Sequence, residues 1–392
     1  MCPIDFRLIF AFVSPERPQF LREIVPEALS QARKGRGSLT NPSGRFERSH
    51  LEPDLERLCE AYEAEDESFD GEKTLEGATA TQAIPDPSRT AITTNRSPDI
   101  PFEASLNPYR GCEHGCAYCY ARRTHEYLGW NAGIDFESRI LVKENAAELL
   151  QDELNRMREP PSTLNCSGVT DPYQPVERKL EVTRSCLAVL AEMRQAVTVI
   201  TKNHLVTRDR DHLPVLASHG AAAVGISVTT LDRELAASLE PRASSPRMRL
   251  RAVKELNDHG IPAGIMLAPV IPGLNDHEIP SILEAAAEAG ARFVGYTTLR
   301  LPGNVVPVFE GWLREHVSEQ KAASILERTR SLRGGKLNSA EFGDRFRGHG
   351  ALAANIRDLL KAGIRKHGLN QRIPKVSNAS FRRVSRMQPE LF

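Results

Sequence analysis

From residue 102 onward, short apolar runs take turns with amphipathic stretches, and this alternation constrains the fold more than any other feature of the chain. STLNCSGV (162–169), AVTVITKN (196–203), AAVGISVTT (222–230), PAGIMLAPVI (262–271) and RFVGYTTLRL (292–301) read as buried strands. Between them lie helical patterns. ENAAELLQDELNRM (144–157) sets Ala147, Leu150, Leu154 and Met157 on one stripe. EVTRSCLAVLAEM (181–193), RMRLRAVKELNDHG (247–260) and HEIPSILEAAAEAG (277–290) behave alike, and the last two end in the glycine that commonly closes a helix. With a further strand around 104–110, six βα units follow one another. Such repetition specifies a parallel sheet with right-handed crossovers. Six units are too few to close an eight-stranded barrel. The expected fold class is therefore α/β, a partial (β/α)6 TIM-like barrel with an irregular N-terminal extension and a helical C-terminal extension.

The flanks set the expected boundaries. Residues 1–101 read as a largely irregular N-terminal extension. RKGRGSLTNPSGRF (33–46) lacks apolar periodicity, and EAEDESFDGE (63–72) leads into the Pro/Thr/Ser-rich 81–101. Residues 102–304 form the barrel. Residues 305–370 carry three helical patterns, 305–316, 319–333 and 351–368, and 371–392 read as a basic flexible tail. The chain is neutral overall, with 51 basic and 51 acidic residues. The charges are unevenly spread: residues 51–100 hold 13 acidic against 4 basic side chains, and 335–392 hold 12 basic against 4 acidic. No stretch approaches the roughly 18 apolar residues of a membrane span, and LIFAFV (8–13) is too short to be one. A cytoplasmic protein with reduced cysteines and no membrane contact is expected.

Of seven cysteines, three fall inside NPYRGCEHGCAYCYAR (107–122): Cys112, Cys116 and Cys119, spaced C-x3-C-x2-C directly after the first strand. In parallel α/β barrels the loops after the strands carry the working residues. Three thiolates can hold zinc with one open position, or three irons of a [4Fe–4S] cluster with the fourth iron uncapped. Zinc sites usually draw on two separated pairs, and no matching pair follows, although His114 and His125 lie close by in sequence.

The C-x3-C-x2-C pattern, with an aromatic residue (Tyr118) before the last cysteine and six βα units behind it, resembles the radical S-adenosylmethionine (SAM) superfamily. CAYCYARRTHEYLG, GVTDPYQPVERKLEVTR, LEPRASSPRMRLRAV and LAPVIPGLNDHEIP are similar to the branch grouped with spore photoproduct lyase, over roughly residues 33–370. The match departs at Arg123, where close relatives tend to have proline; this lies outside the ligands. The resemblance implies that Cys112, Cys116 and Cys119 hold a [4Fe–4S] cluster whose open iron binds SAM. Reduction, by a donor such as flavodoxin or ferredoxin, would cleave SAM to methionine and a 5′-deoxyadenosyl radical that abstracts hydrogen from a substrate.

Other site residues follow from strand ends. Gly168 allows close backbone approach, and Thr170 and Asp171 bring polar groups near the SAM amine; a plain Asp-Pro turn would look the same. Thr201, Lys202 and Asn203 end the third strand, and Ser227 and Thr229 end the fourth. On the resemblance Ser227 touches ribose or methionine. Arg242 is suited to the methionine carboxylate, or else to an ion pair with Glu240. Ala268 and Pro269 open a rim for adenine. Cys166, on the second strand, is either a small buried residue or, as in the branch it resembles, a hydrogen-atom donor inside the barrel. Cys186 and Cys59 read as structural and Cys2 as an incidental terminal residue. The substrate stays open. A basic C-terminal region could lie on nucleic acid, and the alternative to an enzyme is a non-catalytic zinc module that binds nucleic acid.

Overall fold

The computed structural model describes residues 35–38, 41–42, 80–371 and 373–384; Cys2, Cys59, the remainder of the N-terminal extension and the last residues of the tail lie outside it. Seven strands form one sheet, in the order 294–298, 263–270, 222–227, 197–201, 164–166, 104–106 and 92–94. Its parallel part is β3 (Ala104–Leu106), β6 (Leu164–Cys166), β7 (Val197–Thr201), β8 (Ala222–Ser227), β9 (Ala263–Val270) and β10 (Val294–Thr298). The register runs Leu106↔Cys166↔Val199 and Ser227↔Met266↔Gly295 across the sheet. Helices Ala146–Arg156, Val182–Met193, Pro246–Asp258 and Ile279–Glu288 cover the outer face. The main apolar core lies between these helices and the sheet, where Leu150, Leu154, Leu187, Leu190, Val253, Leu256, Ile282 and Leu283 are fully buried. This is the partial barrel expected from the alternation.

The barrel's inside is narrowed by a methionine seated between glycines. A Cβ at Gly225 would stand 3.2 Å from Met266 Cγ, and one at Gly295 would stand 2.7 Å from Met266 Sδ. Glycine on β8 and β10 thus makes room for the one long side chain that β9 sends inward.

Three departures from the sequence reading concern the flanks. The strand expected over 104–110 is two strands. Pro108 offers no N–H to a ladder, and after it β4 (Tyr109–Arg110) leaves the barrel and pairs antiparallel with β5 (Arg139–Val142). Residues 80–100 are not loop throughout: β1 (Gln82–Pro85) pairs parallel with β5, and β2 (Ile92–Thr94) adds an antiparallel edge beside β3. The described part of the basic tail, 373–384, is a strap across the N-terminal end of the barrel. Ser377 N–H donates to Gly220 O at 2.9 Å, and Asn378 accepts from Ala196 N and donates to Pro161 O. Arg382 and Arg383 donate to Glu192 O and Met157 O at the carboxyl ends of two helices, where cations complement the helix dipole.

Helices Val305–His316 and Glu319–Ser331 pack a second apolar cluster, with Phe309, Trp312 and Ile325, directly against Cys116, Ala117 and Tyr118. Helix Gly350–Lys366 lies on helix Ile279–Glu288, so closely that a Cβ at Gly363 would stand 2.4 Å from Leu283 Cδ1. No helix among the described residues is long and apolar enough to cross a membrane.

Gly295→Val should overpack the barrel against Met266 and cost about 1–3 kcal/mol in urea unfolding, and shortening the clash partner with Met266→Ala in the same chain should recover part of that loss.

Candidate active site

The loop from Gly111 to Cys119 has no regular structure, so its shape comes from groups that reach into it. Arg122, fully buried, supplies most of them. Its guanidinium donates to Cys116 O (2.9 and 3.0 Å), Gly115 O (3.1 Å), Ala132 O (3.1 Å) and Gly133 O (3.0 Å), and pairs with Glu137 Oε1 at 2.5 Å. Further ties come from Cys112 N–H to Phe136 O (2.9 Å) and Ala117 N–H to Leu239 O (3.1 Å). From the loop after β6, Thr170 and Gln174 both donate to Gly111 O, and Gln174 accepts from Glu113 N at 2.9 Å.

A piece of the N-terminal extension completes the clamp. Gly37 N–H donates to Glu137 Oε2 at 2.9 Å, and Arg36 donates to Glu137 O and to Thr81. Gly37 lies so close to the loop that an added Cβ would stand 1.5 Å from Gly115 O. Arg122, Glu137, Arg36 and Gly37 were not singled out from the sequence. Their only signal there is an arginine beside the cysteines and a Gly-rich stretch that reads as loop.

The clamped loop faces a cavity of about 260 Å³ at the C-terminal mouth of the barrel. Cys112, Cys116, Cys119 and Tyr118 line it together with Gly168, Thr170, Asp171, Thr201, Lys202, Ser227, Ala268 and Pro269. Gly168 has φ +128°, in the region that favours glycine. Asp171 accepts from Thr201 Oγ1 (2.6 Å), Lys202 N (2.7 Å) and Tyr173 N (2.9 Å), and sits 3.3 Å from His114 Nδ1. Burial works against its charge, yet His114 and these donors hold its carboxyl below the usual range. Lys202 Nζ donates to Ala268 O (3.3 Å) and lies 3.6 Å from Glu240 Oε1. Glu240, buried, is held at about 2 despite its burial by Arg249, Lys202 and the hydroxyls of Tyr118 and Thr229.

Arg242, Thr229 and Cys166 do not reach the cavity wall, and neither does Asn203. Arg242 pairs with Glu113 (3.1 Å) and Thr81, not with Glu240, whose partner is Arg249. Thr229 is fully buried and donates to Glu240 Oε1 at 2.7 Å. Cys166 is turned away from the barrel. Its neighbour Asn165 lines the cavity, side chains alternate along a strand, and Cys166 packs in the core close to Cys186. Of the two readings of Cys166, its position is that of the small buried residue, in the core and not at the cavity wall.

The donor set can be tested against the group it suggests. Burial raises all three thiols, and for Cys112 the nearby Asp171, Cys116 and Cys119 raise it further, so their thiolates call for a positive partner. A zinc ion needs its sulfurs about 2.3 Å away on one centre, whereas a four-iron cluster gives each cysteine its own iron and asks only that the thiols face one space. His125, weighed as a zinc ligand, is buried against Trp130 and Phe136, with Nε2 2.9 Å from Arg139 O. The residues fit the cluster.

A half-open α/β barrel with a three-cysteine loop at its mouth defines a class of cluster-binding protein. Residues 106–286 match the family model described as the Radical SAM superfamily. An uncharacterized protein of Mycobacterium tuberculosis is 34% identical over 216 residues, 55% of this chain and 64% of the relative. An uncharacterized protein of Methanocaldococcus jannaschii is 30% identical over 176 residues, 44% of this chain and 62% of the relative. The chain thus spans just under two thirds of the length of these relatives. The fold is similar to spore photoproduct lyase complexed with dinucleoside spore photoproduct, with a TM-score of 0.51 at 14% identity over 81% of this chain and 93% of that one. A point mutant of the same lyase gives a TM-score of 0.52 at 15% identity over the same shares.

Two outcomes are expected. Gly37→Ala cannot keep its approach to Gly115, so the cysteine loop should be cut faster by protease and reconstituted iron content should fall well below that of the parent, with far-UV dichroism unchanged. His125 is lowered to about 4, chiefly by burial. Its neutral form contributes stability that is complete above its unfolded pKa near 6.5 and is lost as pH falls towards 4. Over that window stability should drop by about 3 kcal/mol, and His125→Gln should flatten this part of the pH–stability profile measured in urea.

Proposed function

We propose that this chain is a radical SAM enzyme that generates a substrate radical in the cavity at the barrel mouth. The observation that carries this reading is that three cysteines of one loop line the same cavity as Asp171, Lys202 and Ser227. With a [4Fe–4S] cluster on Cys112, Cys116 and Cys119, reductive cleavage of SAM supplies a 5′-deoxyadenosyl radical at this site. The chain's own residues bind and orient. Asp171, kept anionic, is suited to the SAM ammonium, and Thr201 and the Lys202 amide fix its carboxylate. Ser227, at the end of β8, offers a hydroxyl for ribose or methionine. Ala268 and Pro269 form an apolar rim suited to adenine. Arg242, engaged with Glu113, acts on the loop and not on the methionine carboxylate. Tyr118, whose hydroxyl donates to the buried Glu240, lines the cavity beside the cysteines.

The relatives leave the substrate open. The likeness to a lyase solved with dinucleoside spore photoproduct suggests damaged nucleic acid as the first class to assay. A one-electron donor of the flavodoxin or ferredoxin type would reduce the cluster. Anaerobic incubation with SAM, reductant and a panel of ultraviolet-irradiated DNA, intact DNA, RNA and peptides tests this directly. Substrate-stimulated 5′-deoxyadenosine with the irradiated DNA supports the nucleic-acid reading, and stimulation by peptides alone rejects it.

Replacing any one of Cys112, Cys116 or Cys119 by Ala should abolish iron retention, the brown absorbance near roughly 400 nm of such clusters and SAM cleavage. Cys166→Ala and Cys186→Ala should keep all three and lose only about 1–2 kcal/mol of stability. Equal iron in Cys116→Ala and the parent would sink the assignment.

A further inference from the structure

The wall of the cavity beyond β10 carries positive charge that, among the described residues, no carboxylate meets within ion-pair distance. Arg300 lines the cavity there, two residues past the end of β10. Its guanidinium carbon lies 4.5 Å from the centre of the Tyr120 ring and 5.1 Å from that of Phe346, so stacking holds the group in one plane. Among the described residues no carboxylate stands within ion-pair distance of it. The nearest arginine that has one, Arg345, takes Asp99 for itself: Nε to Oδ2 is 2.8 Å, and a second contact joins Nη2 to Oδ1.

Behind this wall lies Arg333, only 3% exposed. Nη2 donates to Thr298 Oγ1 at 2.9 Å and to Arg345 O at 3.1 Å, while Nε and Nη1 have no partner. Thr298, its hydrogen-bond partner, lines the cavity. Burial pushes the Arg333 guanidinium down to about 10, and the charge of Arg300 pushes it further the same way. Burial likewise lowers Arg300. Asp344 and Asp99 offset these charges only from beyond ion-pair distance; a half-buried and a buried cation that repel one another, the buried one with two N–H groups that no described residue accepts, are costly unless an anion joins them. Elsewhere in the cavity the cation Lys202 faces the carboxylate of Glu240.

We infer that this wall is a phosphate site, in which Arg300, backed by Arg333, receives a phosphate group of the substrate. Guanidinium groups match phosphate oxygens through forked hydrogen bonds, and a single carboxylate would be saturated by one fork and leave the second cation bare. The inference rests on the reading that this cavity is where the substrate meets the radical, and it narrows that substrate to a phosphate ester. Arg300 would set specificity by orienting the phosphate, with no part in bond breaking.

The test is equilibrium binding to the full chain, with the cluster reconstituted and SAM present, using inorganic phosphate, thymidylyl-thymidine and acetate at matched ionic strength. Phosphate or the dinucleotide should bind, Arg300→Gln should weaken that binding about tenfold or more, Arg300→Lys should restore only part of it, and acetate should not compete. Tighter binding of the dinucleotide identifies a nucleic-acid backbone as the source, and phosphate alone identifies a small phosphorylated substrate. The inference is overturned if neither probe binds the parent, if Arg300→Gln binds them as the parent does, if acetate competes equally, or if the variant loses affinity for SAM instead. Iron content and SAM cleavage of the parent are measured beside these titrations. Their absence with phosphate binding intact would reject the enzyme reading and leave the anion site standing.

Discussion

Everything at the mouth of this barrel depends on one buried guanidinium. Arg122 binds the carbonyls of Gly115, Cys116, Ala132 and Gly133 and is neutralised by Glu137. An irregular loop that must aim three thiols at one space has no ladder of its own to hold it, and its carbonyls would otherwise be buried without donors. A single planar group with five N–H donors solves both problems at once. Glu137 is then the point where separate parts of the chain meet. One carboxylate oxygen serves Arg122, and the other accepts from Gly37 of the N-terminal extension. Losing Arg122 or Glu137 leaves the other's buried charge uncompensated, which costs more than the contact itself.

Much of the barrel was legible in the sequence because its signals are local. Strands β7 and β9 and helices Val182–Met193 and Val305–His316 lie where period and end signals put them. What was not legible depends on partners far along the chain. β1 and β2 are short, largely exposed edge strands, and their pairing with β5 and β3 leaves no apolar pattern to detect. The break at Pro108 was available in the sequence, but it separates strands of two different sheets, and no local signal says so. The cysteine triplet marked the site; the arginine and glycine that shape it looked like ordinary loop residues. Cys166 was read by its distance from Gly168, although alternation along β6 turns Asn165 towards the cavity and Cys166 away from it.

The charge distribution gave a similar lesson. A basic C-terminal segment suggests phosphates, yet Arg382 and Arg383 are engaged by helix carbonyls on the far side of the barrel from the cavity. The cationic surplus beside the cavity comes from Arg300 and Arg333, one near β10 and one past helix Glu319–Ser331, which no linear count of charge would group together. Folding brings them to one wall, and burial makes their charge count.

The strap of residues 373–384 also bears on how the chain is made. Its contacts reach back across the chain, as from Val384 to Asn155, 229 positions earlier. During synthesis the barrel strands emerge long before the segment that covers their N-terminal ends. Until then the apolar residues under Val376, Phe381 and Val384 stay uncovered. Completion of the bottom of the barrel is therefore a late event of high contact order, and a chain held before this segment emerges would keep its barrel open at the base.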